Sequence, residues 1–336
     1  MMERLTNLGQ LAFGAASIGN LYRAVPEAQA RDVVARAWDA GVRTFDTAPH
    51  YGFGLSEKRL GAALAELDPA QSAIVSTKIG RRLDPRPDAD LSAMRQAFVS
   101  PEPYESVFDY SYDAVMRSYE GSLKRLRRDR IDILYAHDIG VFAHGAAHPR
   151  RFAEFMGGGY RAMLKLRDSG AVGAIGIGVN EVAVCIEMLG AGEIDLIMLA
   201  GRYTLLEQDP LDDLLPLCAR RGVRLVIAGP YNSGILAKGV RHGGAIPNFN
   251  YEPAPPAILE RVGAIEDVCA KHGVPLAAAA LQFPLAHPQV ASVVPGMGSV
   301  RQVDDALALM ARVIPVTLWE ELRDAGLIRR DAPLPQ

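Results

Sequence analysis

Short, nearly continuous apolar runs alternate along this chain with segments whose apolar residues recur every three or four positions. The runs are Leu11 to Phe13, Val42 to Phe45, Ala73 to Thr77, Ile131 to Ala136, Ala174 to Val179, Ile194 to Leu199, Arg224 to Ala228 and Val290 to Val294. Runs of this length without polar alternation fit strands covered on both faces. Between them, Val33, Val34, Ala37 and Trp38 mark one helix face, and Val115, Tyr119, Leu123 and Leu126 another. Gly41, Gly170, Gly222 and Gly273 stand where a helix would end on left-handed backbone. Eight strands alternating with amphipathic helices predict an α/β chain, a (β/α)8 TIM barrel with long loops on its C-terminal face. No compositional break or Ser/Gly linker divides the chain, so a single barrel domain is expected over residues 1–336.

A two-domain Rossmann arrangement is the competing fold. It needs a Gly-x-Gly-x-x-Gly turn after an early strand, and the nearest candidates fail: Gly176-Ile-Gly178 has Glu181 at the third position, and Gly296-Met-Gly298 has Arg301. Three long insertions, Ile79 to Val107, Asp138 to Gly159 and Gly229 to Pro256, follow the third, fourth and seventh strands. That order places all three on the rim where barrel enzymes keep their chemistry. Gly157-Gly158-Gly159, in the second insertion, fits either a hinge or the junction of a loop with a helix.

Composition removes several function classes. A 49% hydrophobic share over 336 residues supplies a large core and excludes a solvated disordered chain. A formal charge of −3 argues against a nucleic-acid partner, and the densest basic run, Lys124 to Arg130, closes a helix, where cations complement the dipole. Cys185, Cys218 and Cys269 are too scattered for a disulfide framework or a metal site, and read as buried free thiols in a reducing cytoplasm. No stretch has the length and apolarity of an export signal or membrane span, since the run from Val274 to Ala286 is broken by Pro275, Gln282 and Pro284. The expected partner is a small-molecule substrate, met by a cytoplasmic monomer or homodimer without nucleic acid, membrane or metal.

Candidate chemistry gathers at three consecutive strand ends. Asp46 ends the second strand, with Tyr51 five residues on and Ser56 to Leu60 reading as a polar-capped helix start; Lys78 ends the third strand and His137 the fourth. Singly, each has an ordinary explanation: a capping acid, a lysine reaching water, a hydrogen-bonded histidine. On one face of one barrel they form a cluster suited to proton transfer. A free tyrosine has a pKa of ~10, so only about one in a thousand is ionised at neutral pH. A lysine ammonium beside it favours the phenolate, and a carboxylate holds that ammonium charged.

The chain resembles the aldo-keto reductase superfamily in Asp46-Thr-Ala-Pro-x-Tyr51-Gly-x-Gly-x-Ser-Glu57, Ser76-Thr-Lys78, Asp132-Ile-Leu-Tyr-Ala-His137, Gly176-Ile-Gly-Val-Asn180 and Val294-Pro-Gly296, in order along nearly its whole length. The resemblance implies a catalytic tetrad of Asp46, Tyr51, Lys78 and His137 and a nicotinamide cofactor extended across the barrel mouth. It implies a cofactor site made from Asp46, Asn180, Pro230, Asn232, Gly234, Gly296, Met297, Gly298, Ser299, Gln302 and Asp305. Members that take NADP usually carry a lysine just after the strand-eight proline and an arginine in the next turn; here Gly296 and Gln302 stand there. A 2′-phosphate seeks a bidentate guanidinium, so NAD is the preferred cofactor and NADP the alternative, with Arg301 adjacent.

Two stretches, Val107 to Ser118 and Ala200 to Gln208, are similar to the branch of that superfamily containing D-threo-aldose 1-dehydrogenase (L-fucose dehydrogenase) and pyridoxal 4-dehydrogenase. This implies oxidation of an aldose hemiacetal to a lactone, with pyridoxal oxidation or general aldehyde reduction by NADPH as alternatives. Substrate contacts are expected from Tyr51, His137, Tyr22 and Tyr231, with Phe142, His144, His148, Phe152 and Asn248 as further rim candidates. The chain departs from the superfamily's usual strand-six glutamine, having Ala200-Gly-Arg202-Tyr203, and from its usual nicotinamide-stacking tyrosine, where Tyr231 is the possible replacement.

Overall fold

The computed structural model describes residues 8–241, 243 and 245–336. One parallel sheet runs β1 (Phe13–Gly14), β2 (Thr44–Asp46), β3 (Ile74–Ile79), β4 (Ile131–His137), β5 (Val172–Val179), β6 (Leu196–Ala200), β7 (Arg224–Ala228) and β8 (Val290–Val294), each strand beside the next. Backbone bonds close the ring: Ala12 N–H donates to Val293 O at 2.9 Å and Gly14 N–H to Pro295 O at 3.1 Å. At this seam a Cβ on Gly14 would lie 2.8 Å from Pro295 O, so glycine lets the first and last strands meet. The first strand is shorter and later than Leu11 to Phe13, because Leu11 pairs singly with Val293 while Phe13 and Gly14 pair with Phe45 and Asp46.

The strands read as continuous apolar runs because both their faces are covered. Ile74, Ile133, Tyr135, Ala174, Leu196, Met198 and Val226 fill the barrel, while a larger core lies between strands and helices. Helices α1 (Glu27–Asp39), α2 (Leu55–Leu67) and α3 (Tyr112–Leu126) follow β1, β2 and the first rim insertion. Val33, Val34 and Ala37 of α1, and Val115, Tyr119 and Leu126 of α3, are buried as their spacing predicts. Gly176 and Gly178 lie mid-strand in β5 rather than on a phosphate loop, and a Cβ at Gly176 would meet Leu196 O at 2.0 Å.

The predicted polar cap at Ser56 does not hold. Helix α2 opens at Leu55 behind Gly54, whose φ of 101° suits glycine. Ser56 lies inside, its hydroxyl donating to Ala15 O at 2.8 Å and sharing a hydrogen bond with Thr47 Oγ1 at 2.8 Å. In the basic run, Arg125 donates from Nε to Glu57 Oε2 at 2.6 Å, and Arg128 turns inward to Ala73 O at 2.9 Å and Asp132 at 3.4 Å. These cations clamp helix α3 to its neighbours instead of facing solvent together. The three cysteines are buried and unpaired. Among the described residues no helix is long and apolar enough to cross a membrane.

All three insertions leave C-terminal strand ends. The first pairs Arg81–Pro85 with Tyr104–Phe108 and carries a smaller hairpin, Met94–Arg95 with Phe98–Val99. It is stitched to the loop after β1 by Tyr22 N–H to Ala97 O at 2.8 Å and Val99 N–H to Asn20 O at 3.0 Å. The second is helical. Its glycine triplet forms part of a π-helical turn, Phe155–Gly159, leading into Tyr160–Asp168. A Cβ on Gly158 would come within 2.8 Å of Tyr112 N, and one on Gly159 within 2.7 Å of Tyr110 O, whereas Gly157 has open space. The triplet is a close-approach surface for the segment entering α3. The third insertion carries the short helix Ile235–Lys238 and a hairpin of Asn248–Phe249 with Glu252–Pro253.

This packing predicts a contrast between neighbouring glycines. Gly158→Ala should cost about 1–3 kcal/mol in urea unfolding, through forced backbone displacement. Gly157→Ala should be neutral or gain up to about 1 kcal/mol from helix propensity. Equal effects at both positions would refute the close-approach assignment.

Candidate active site

Asp46 and His137 end β2 and β4, Lys78 lies one residue before the end of β3 between them, and β-pleating sets their directions. Side chains two apart on a strand share a face, so Ser76 and Lys78 of β3 point the same way beside Asp46. Ser76 Oγ donates to Asp46 Oδ1 at 2.7 Å, and Lys78 Nζ donates to Asp46 Oδ2 at 2.7 Å and to Thr47 O at 2.9 Å. Lys78 is 2% exposed and Asp46 4%, so the ion pair is held almost out of water. Both Asp46 oxygens are thereby engaged within the protein. Glu57 fixes the approach to the pair, accepting from Thr77 Oγ1 at 2.6 Å and from Arg125 on its other oxygen.

The turn after β2 carries Tyr51 over this pair, with Lys78 Nζ 4.7 Å from the centroid of its ring. Tyr51 shifts against the sequence-based expectation, whereas Lys78 shifts with it. Burial raises the Tyr51 phenol above its ordinary pKa of 10.0, outweighing the pull of Lys78, while Asp46 pushes the same way as burial. Lys78 is also raised, because the Asp46 carboxylate and Tyr51 overcome its own desolvation. The lysine is therefore a fixed cation, and the phenol keeps its proton in this site.

His137 stands edge-on to Tyr51, ring centroids 6.0 Å apart at 85°. Burial and the charges of Lys78 and Arg81 hold it well below the usual imidazole range, so it is neutral at pH 7. Among the described residues its buried Nδ1 has no hydrogen-bond partner, and its Nε2 lies 3.6 Å from Asp138 Oδ2. Asp138 accepts from Arg81 Nη2 at 2.7 Å and adopts a φ of 55°, a strained conformation for a non-glycine residue. Tyr110 Oη donates to the backbone O of His137 at 2.8 Å and fits over Gly80, where any Cβ would strike its ring. Sequence reasoning missed Arg81, Asp138 and Tyr110, which have no periodic or motif signal of their own. It also passed over His50, which stood in the opening motif as an unassigned position.

A groove of about 760 Å³ runs across the mouth, lined by residues of the loops after β1, β7 and β8 and by Asn180. It contains most of the expected cofactor set: Asn180, Pro230, Asn232, Gly234, Gly296, Met297, Gln302 and Asp305. Asn232 Oδ1 is buried with no hydrogen-bond partner among the described residues, while its Nδ2 donates to Gly201 O at 2.9 Å. A groove of this size holding an unsatisfied acceptor fits an extended polar ligand such as a dinucleotide.

Three expected members do other work. Asp46 is spent on Ser76 and Lys78. Ser299 caps the helix Val300–Met310 by accepting from Gln302 N–H at 3.3 Å, and Gln302 Oε1 takes the N–H of Gly298, just before the cap, at 2.8 Å, which occupies an amide otherwise suited to phosphate.

The rim candidates divide. Tyr22 and Tyr231 line the groove, as does Asn248. Phe142 is exposed, 6.4 Å from Tyr251 by ring centroids. His144 bonds Tyr110 Oη at 2.9 Å. His148 and Phe152 are not at the site: His148 bonds Ile139 O at 3.0 Å and Glu187 at 2.8 Å, and Phe152 packs against it. Their helix turns them inward, which loop position alone did not reveal. Arg23 and Tyr251 were also missed. Arg23 reaches the Gly298 end of the groove, and Tyr251 Oη donates to Asn180 Oδ1 at 3.3 Å.

Comparison with known proteins agrees with this geometry. The sequence model of the Aldo/keto reductase family matches residues 10–326. Pyridoxal 4-dehydrogenase of Microbacterium luteolum is 40% identical over 95% of this chain and 94% of its own. D-threo-aldose 1-dehydrogenase of a Pseudomonas species is also 40% identical, over 95% and 94%. Aldo-keto reductase AKR11C1 from Bacillus halodurans, in its holo form, superposes with a TM-score of 0.71 at 25% identity, covering 98% of this chain and 94% of that one. A closed eight-stranded barrel, a groove suited to a dinucleotide and relatives aligned over almost the whole length have one common meaning: the chain belongs to the aldo/keto reductase family and is an oxidoreductase that uses a nicotinamide cofactor.

Proposed function

We propose that the protein is a dehydrogenase that oxidises the anomeric carbon of an aldose hemiacetal, of the L-fucose or D-threo type, to a lactone. The observation that carries this is the Lys78 ammonium buried between the Asp46 carboxylate and the face of the Tyr51 ring. As a phenolate stabilised by the Lys78 ammonium, Tyr51 takes the proton of the anomeric hydroxyl and becomes the neutral phenol that burial favours. Asp46 touches no substrate; it keeps Lys78 charged and aimed. Neutral His137 hydrogen-bonds the same substrate oxygen and orients it. The nicotinamide cofactor supplies the hydride acceptor. Asn180, Asn232, Gly296, Met297 and Asp305 hold it in the groove. An ammonium held charged is not an amine nucleophile, which argues against a Schiff-base lyase on this barrel.

Polar groups around the mouth, including Asp138, Arg81, Asn248 and Asn250, suit a substrate with several hydroxyls. Pyridoxal is the second reading, favoured by the aromatic residues Tyr22, Phe142 and Tyr251 from three different loops. Both named relatives are equally similar to this chain. Because burial makes Tyr51 hold its proton, the reverse direction, carbonyl reduction with Tyr51 as acid, uses the same groups.

We further propose a preference for NAD over NADP in a cytoplasmic enzyme. Gly296 offers no charge, Gln302 is bonded to Gly298, and Arg301 is 90% exposed and directed to Asp305 at 3.6 Å. Arg23 and Lys238 both line the groove, and these cations support NADP as the alternative.

Four outcomes are expected. Absorbance at the reduced-nicotinamide band should rise with L-fucose and D-arabinose faster than with pyridoxal or an aromatic alcohol. Tyr51→Phe should then lose at least about a hundredfold in kcat while cofactor affinity holds, and near-normal turnover would sink the assignment. Asp46→Asn strands the Lys78 ammonium without its carboxylate and should lower unfolding stability by roughly 3–5 kcal/mol at pH 7; an unchanged urea midpoint would contradict a pair held out of water. In fluorescence titrations NAD should bind about tenfold or more tighter than NADP, and the opposite order would overturn the preference.

A further inference from the structure

A second histidine completes the wall of the site. His50 directly precedes Tyr51, and its ring is gripped by the first rim insertion. Its Nδ1 lies 2.9 Å from Ser106 Oγ, Phe98 meets the ring at right angles with centroids 5.2 Å apart, and Phe53 lies at 6.1 Å. The His50 centroid is 6.1 Å from that of His137 and 6.5 Å from that of Tyr51, which are themselves 6.0 Å apart. Three polar rings thus stand at the corners of a nearly equilateral triangle.

His50 is neutral at pH 7, since burial and the charges of Arg81 and Lys78 all disfavour the imidazolium, with Asp138 opposing. A neutral imidazole has two polar nitrogens. Ser106 takes one. Among the described residues the other, Nε2, has no hydrogen-bond partner, and it is not one of the sealed, unsatisfied buried atoms. A phenyl group would pack between Phe53 and Phe98 without the cost of desolvating an imidazole. The imidazole therefore retains a polar atom for a ligand.

We propose that His50 Nε2 hydrogen-bonds the substrate hydroxyl on the carbon beside the one oxidised, so that the enzyme selects aldoses bearing that group over their deoxy analogues. This rests on the aldose reading above. Tyr51 and His137 both address the oxygen of the reacting carbon. His50, set off from both by a similar distance, is placed for the neighbouring oxygen instead. Ser106 acts as a positioning residue, fixing the ring through Nδ1. With a substrate seated there, one lacking the hydroxyl leaves Nε2 unpaired, which is how a polar site rejects an analogue.

The test compares kcat/KM for L-fucose and 2-deoxy-L-fucose on the wild-type, His50→Phe and His50→Gln enzymes, each checked for folding by thermal melting. The wild type should favour L-fucose by about 10- to 100-fold. His50→Phe should reduce that ratio to within about threefold by losing activity on L-fucose alone, and His50→Gln should restore part of it. If His50→Phe does not fold, Ser106→Ala should lower the ratio in the same sense. Equal losses on both sugars, or a ratio that survives in His50→Phe, would overturn the inference. Wild-type oxidation of both sugars at equal rates overturns it while leaving the aldose reading standing. Oxidation of neither overturns both.

Discussion

The Asp46–Lys78 ion pair is the constraint on which the rest of this molecule turns. Two opposite charges withdrawn from water persist only where geometry and further hydrogen bonds compensate their desolvation. Ser76, the Thr47 carbonyl and the Tyr51 ring supply that surrounding at the ends of β2 and β3. The pair in turn fixes strand register, because moving β3 by one residue would send Lys78 into the helix layer. It also gives the phenol above it a permanent cation in a place of low dielectric. Stability and chemistry are thus coupled through one contact.

The barrel was largely legible because its pattern is repetitive. Covered parallel strands announce themselves as apolar runs, and the glycines after the helices, Gly41, Gly170, Gly222 and Gly273, all take the left-handed backbone that their positions suggested. The clustering of Asp46, Lys78 and His137 was legible for a related reason: each lies at or next to the C-terminal end of a strand, and in a barrel every such end opens on the same face. Ser56 misled because its hydroxyl finds partners in the segments after β1 and β2, Ala15 and Thr47, which only the folded chain brings near.

What escaped the sequence lies in the rim. Strand periodicity says nothing about where a 29-residue excursion such as 79–107 places its side chains. Arg81, Ser106 and Phe98 reach the site through hairpin pairing, and Tyr110 reaches it through the space left by Gly80. The inward turn of His148 and Phe152 has the same origin, since their segment is a helix with a buried side rather than a loop. The expectation for Tyr51 erred in its balance rather than its parts. Lys78 does pull the phenol toward ionisation, but the depth of burial that makes this pull strong resists it more strongly still.

The glycine seam at Gly14 and Gly296 has a consequence for how the protein responds to its ligand. The groove is built from both sides of that seam, with Ser17, Leu21 and Tyr22 from the early chain facing Pro295 to Leu309 from the late chain. A molecule lying there would contact segments almost three hundred residues apart and bind only when the ring is shut. By linkage, its binding free energy is added to the free energy of ring closure. The cofactor would then serve as a non-covalent clasp, and resistance to thermal or proteolytic opening would follow the supply of nicotinamide nucleotide around the enzyme.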